Sequence, residues 1–102
     1  MIEEVVGMYV RVVRFTDVTT ERIEGLRARI EDNGGAPAGV PATELKFLFD
    51  ERQGTAVAMQ YFETAEDMEA GAQVLSTMDA AATPGTRVSV DMCEVKLERT
   101  LS

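Results

Sequence analysis

The chain contains no histidine and no tryptophan. Without imidazole there is no Ser-His-Asp triad, no histidine metal site and no side chain whose ordinary pKa lies near neutrality. Cysteine occurs once, as Cys93. That excludes an intramolecular disulfide and dithiol chemistry, and it fits a reducing compartment. No apolar run approaches the ~20 residues that cross a bilayer, and no basic segment followed by an apolar one opens the chain. Neither a spanning helix nor a secretory signal is expected, and a cytoplasmic protein is. Positive charge is scarce too: 10 Lys and Arg stand against 18 Asp and Glu, a net charge of −8. Phosphate backbones and anionic membranes repel such a surface, so neither nucleic acid nor membrane is an expected partner.

What remains is globular in composition, with 45% hydrophobic and 27% charged residues in 102. That length supports one domain, 1–102, with a modest core. Residues 5–15 are β-branched and aromatic and read as a strand. Thr19 or Thr20 can cap a following helix, in which Ile23, Leu26 and Ile30 recur at helical spacing. Asn33-Gly34-Gly35 stops that helix, and Pro37 and Pro41 mark a loop. Residues 43–50 alternate as a half-buried strand, Asp50 to Gly54 turns, and 55–62 return. Thr64-Ala65-Glu66-Asp67 opens a second helix with Met68, Ala72, Leu75 and Met78 on one face, and 87–98 form a last strand. The fold class is therefore α+β: a ferredoxin-like β-α-β-β-α-β order, with a four-stranded antiparallel sheet and both helices on one face.

Period-2 alternation sorts the strands. Val6, Met8, Val10 and Val12 are wholly apolar and are expected to face the helices. Leu45, Phe47, Phe49, Val57, Met59, Tyr61, Val88, Val90 and Met92 join them. The other face then carries Tyr9, Arg11, Val13, Phe15, Lys46, Leu48, Ala56, Ala58, Gln60, Phe62, Ser89, Asp91 and Cys93. That mixed, partly aromatic face predicts a homodimer packed sheet to sheet through Tyr9, Arg11, Gln60 and Asp91, with Arg11 pairing Asp91.

Order, length and half-apolar outer sheet together resemble the dimeric α/β-barrel superfamily. Within it the chain is most similar to small antibiotic-biosynthesis-monooxygenase-like proteins. The likeness is carried by Met8-Tyr9-Val10-Arg11-Val12-Val13-Arg14-Phe15, by the hairpin Phe47 to Phe62, and by Phe62-Glu63-Thr64-Ala65-Glu66-Asp67-Met68. The resemblance implies a dimer with a pocket between sheet and helices in each subunit. Some members oxidise aromatic polyketides with oxygen and no bound cofactor, and many have no assigned activity, so the resemblance leaves a cofactor-independent monooxygenase-like activity as one expectation. Haem degradation, which other members perform with histidine and tryptophan, is excluded here.

The expected pocket holds Met8, Phe47, Met59, Tyr61 and Met92, since flexible thioethers fill cores and also line sites for flat apolar ligands. Met68 and Met78 fall on the same core side. Tyr61 is the one polar tip placed inward, able to orient a ligand hydroxyl unless its OH reaches solvent. Cys93 has no base to activate it and reads as a small half-buried residue. The acidic clusters lack metal-loop spacing, and Gly34-Gly35-Ala36-Pro37 lacks the lysine of a phosphate loop. Three functions stay open: a homodimer binding a small apolar molecule, with or without monooxygenase-like turnover; a regulatory ligand-binding domain; and an interaction module without small-molecule chemistry.

Overall fold

A computed structural model describes residues 8–32, 34, 39–77 and 83–101. The elements are β1 (Tyr9–Thr16), α1 (Thr20–Asp32), β2 (Glu44–Asp50), β3 (Thr55–Phe62), α2 (Ala65–Ser76) and β4 (Thr86–Glu94). They form one antiparallel sheet in the order β2-β3-β1-β4. The expected ferredoxin-like order is present.

Local chemistry explains the boundaries. Thr19 Oγ1 accepts the Arg22 N–H at 3.2 Å, and Thr64 Oγ1 accepts the Asp67 N–H at 3.0 Å, so each helix opens on a threonine cap. The β2–β3 turn closes as Gly54 N–H donates to the Asp50 carbonyl at 2.9 Å, and Gly54 takes the positive φ of 67° that a side chain disfavours. The Asp50 carboxylate accepts from both the backbone and the side-chain amide of Gln53. Those bonds, the side-chain one first, hold its pKa below the ordinary carboxylate value. β4 stops at Glu94, short of the expected residue 98, and residues 95–101 continue without regular structure.

The register overturns the face assignment for β1 and β3. Tyr9, Arg11, Val13 and Phe15 lie opposite Phe62, Gln60, Ala58 and Ala56, and this set faces the helices. Val13, Phe15, Ala56 and Ala58 pack with Ile23 of α1, and Phe62 packs with Met68 of α2. Val12, Val57, Met59 and Tyr61, expected inside, lie half-buried on the open face; Val10 shares that face by register but is buried, 5% exposed. The reason is room. A helix over a sheet needs small residues beneath it, and β3 supplies Ala56 and Ala58 there, whereas Val57, Met59 and Tyr61 are the bulkier series. The placements of β2 agree with the expectation: Leu45, Phe47 and Phe49 are on the helix side, and Lys46 and Leu48 on the open side. In β4, Val90 and Met92 are on the helix side as expected. Val88 instead sits in the irregularity between the Arg14–Ser89 and Phe15–Arg87 pairs.

Arg11 therefore cannot pair with Asp91. It lies opposite Met92, while Asp91 lies opposite Val12 on the other side of the sheet. Cys93, expected to be half-buried, is exposed at the open face of the edge strand. Val6 and Met78 lie outside the described residues.

Helix α2 reaches the sheet at Gly71. A Cβ there would lie 2.7 Å from the Phe62 ring, and Phe62 has no exposed surface. Gly25, in exposed α1, has nothing within 4 Å of the same position. Substituting alanine should thus act with opposite signs. Gly71→Ala is expected to lose about 1–3 kcal/mol by overpacking. Gly25→Ala is expected to gain roughly 0.5–1 kcal/mol through helix propensity. Urea unfolding midpoints of the two variants check the pair.

Candidate functional site

Two features of the helix side carry binding chemistry. The first is a cleft of about 330 Å³ between α1 and β2. Leu45, Phe47 and Phe49 form its floor, and Ile23, Leu26 and Ile30 form its wall. It exists because the apolar face of α1 is only partly used: Ile23 is buried, while Leu26 and Ile30 are half-buried. Its polar rim is Glu24, Arg27 and Glu31, one helix stripe in which Arg27 holds Glu24 at 3.3 Å and Glu31 at 3.2 Å. These exposed pairs contribute little stability but keep both carboxylates engaged.

The second feature is a polar row across the interior. By register Leu45, Gln60, Arg11 and Met92 follow one another across the four strands. Arg11 is 4% exposed and Gln60 is buried. Arg11 Nη1 donates to Gln60 Oε1 at 3.2 Å, and the buried Nε has no acceptor. Among the described residues no carboxylate lies within ion-pair distance of this guanidinium. Burial first, then the like charge of Arg87, lowers its pKa from the ordinary value. Arginine nevertheless remains charged in any usable buffer. The row separates the cluster around Val13, Phe15 and Ile23 from the cluster around Phe62 and Met68.

The residues expected to form one pocket are dispersed. Phe47 lines the cleft. Met59 and Tyr61 are half-buried on the open face, where the Tyr61 OH meets Met59 Sδ at 4.0 Å and Lys46 Nζ sits 5.5 Å from the tyrosine ring centre. Met92 is partly exposed beside Arg11, and Met8 precedes β1, its carbonyl accepting from Val95 N–H. Of the expected dimer face, Asp91 is on the open side, but Tyr9, Arg11 and Gln60 face the helices. Ile23, Leu26 and Ile30 were legible only as a helix face. The signal that they also line a site is their number, three large aliphatics on a helix that buries one. Among the described residues no three His, Cys, Asp or Glu side chains gather as a metal site. Among the described residues no helix is long and apolar enough to cross a membrane.

No family model matches the chain, and no curated protein or solved structure matches it either.

A buried charge without a counter-ion is a cost to folding. Arg11→Met keeps an unbranched stem only as far as the Nε position and removes the charge, leaving Gln60 Oε1 without its donor. The variant is expected to be more stable than the parent by about 1 kcal/mol or more, read from urea midpoints. A loss of stability would instead make Arg11 a structural residue.

Proposed function

We propose that the protein is a homodimer that binds a small, largely apolar molecule in the cleft between α1 and β2. The observation that carries the ligand is the lining: six large apolar side chains around about 330 Å³, at the lower end of small-molecule sites. The resemblance to monooxygenase-like proteins adds cofactor-free oxidation as a second reading. The lining favours binding over turnover, because its only proton-transfer groups, Glu24 and Glu31, are held at the rim by Arg27.

The open sheet face supports the dimer. One row across it reads Lys46, Met59, Val12, Asp91. A two-fold axis parallel to the strands lays this row on itself reversed. Lys46 then meets the partner's Asp91, and Met59 meets the partner's Val12. An axis across the strands would place Lys46 over a second Lys46. The first arrangement is complementary and the second repulsive. Leu48, 54% exposed in the adjoining row, supplies further apolar surface.

Two measurements test these readings. Sedimentation at micromolar concentration should show a dimer, Asp91→Lys should weaken it about tenfold, and adding Lys46→Glu should restore it. A monomeric parent chain would sink the dimer. The neutral dye Nile red should brighten on the parent protein, keep doing so with Leu48→Gln, and lose the effect when Ile30→Trp fills the cleft. Equal brightening with Ile30→Trp would remove the cleft as the site.

A further inference from the structure

We infer that Arg11 and Arg87 form a second site on the helix side, next to β4, that takes the carboxylate of a small amphipathic acid whose apolar part lies over Val90 and Met92. This site is separate from the α1–β2 cleft and does not depend on it.

The argument begins with the orientation of the guanidinium. In this planar group the Nη1 flank and the Nε–Nη2 edge point in opposite directions. Nη1 is committed to Gln60 on β3. The Nε–Nη2 edge therefore faces away from the Gln60 amide, and its Nε is a buried donor without an acceptor. Two parallel N–H groups in that fork match a carboxylate bidentately, and such a pair is among the stronger hydrogen-bonded contacts available. A buried donor left unmade is costly, which an incoming carboxylate would reverse.

The surroundings agree. Met92 lies directly opposite Arg11 and Val90 directly opposite Val13, both on the helix side, yet they are 42% and 39% exposed. Apolar side chains on that side of a sheet are ordinarily covered, and helix α2 packs over β1 and β3 rather than β4. Arg87, opposite Phe15 on the same side, adds a second positive charge whose field reaches Arg11. Neither arginine has a carboxylate partner among the described residues, although the chain holds 18 acidic residues against 10 basic ones. A positive spot with an apolar floor in so acidic a protein selects an anion that also carries hydrocarbon.

The test uses 3-phenylpropionate and its uncharged amide as probes, with binding followed by calorimetry on the full chain. The acid is expected to bind the parent protein at least about tenfold more tightly than the amide. Arg11→Met should lose that preference while remaining folded by circular dichroism. Arg87→Gln should weaken the acid by about three- to tenfold and reduce its salt dependence. Ile30→Trp, which fills the other cleft, should leave acid binding unchanged. Nile red binding should in turn survive Arg11→Met, so failure at one site is distinguishable from failure at the other. Equal affinity for acid and amide, no binding of the acid at ten millimolar, or parental acid binding by Arg11→Met would each overturn the assignment.

Discussion

Helix α2 approaches the sheet only because Gly71 leaves a gap where the Phe62 ring lies. That contact sets the spacing between the helix layer and the sheet at the end of β3 where Phe62 sits. Once Phe62 is committed to the interior, alternation commits Gln60, Ala58 and Ala56 with it, and register commits Tyr9, Arg11, Val13 and Phe15. The buried arginine, the polar row and the contents of the open face all follow from one ring resting on one glycine.

The order of elements was legible because it rests on turn chemistry that acts locally. Thr19, Thr64 and the Asp50-to-Gly54 turn each mark a boundary by a hydrogen bond within a few residues. The faces of β1 and β3 were not legible by the same means. β1 carries valines on both sides, Val10 and Val12 against Val13, so hydrophobicity does not distinguish them. In the first part of β3 the larger apolar residues Val57 and Met59 point outward and Ala56 and Ala58 inward, while Phe62 at its end points inward. Size rather than hydropathy decides there, and size matters only once a helix is overhead. β2 alternates sharply between Lys46 and Phe47, and there the pattern alone was enough.

The candidate sites divide in the same way. Phe47 is legible because β2 alternates sharply enough to fix its face. The aliphatic wall from α1 is legible as a helix face, but not that the fold buries only Ile23 of it and leaves Leu26 and Ile30 half-buried. Arg11 stands out in the sequence, where alternation puts it on the expected dimer face with Asp91 as a partner, since an arginine among valines is ordinarily an outward residue. Its inward position follows from the register with Gln60, which alternation within β1 could not supply.

The polar row has a consequence for cooperativity. It divides the interior into two apolar halves, each tied to a different helix: Ile23 of α1 closes one, and Met68 with Val74 and Leu75 of α2 closes the other. The halves share strands but little side-chain packing, so each helix can detach at its own free-energy cost instead of that of the whole domain. The cleft lies under α1, whose half lacks the Gly71–Phe62 lock.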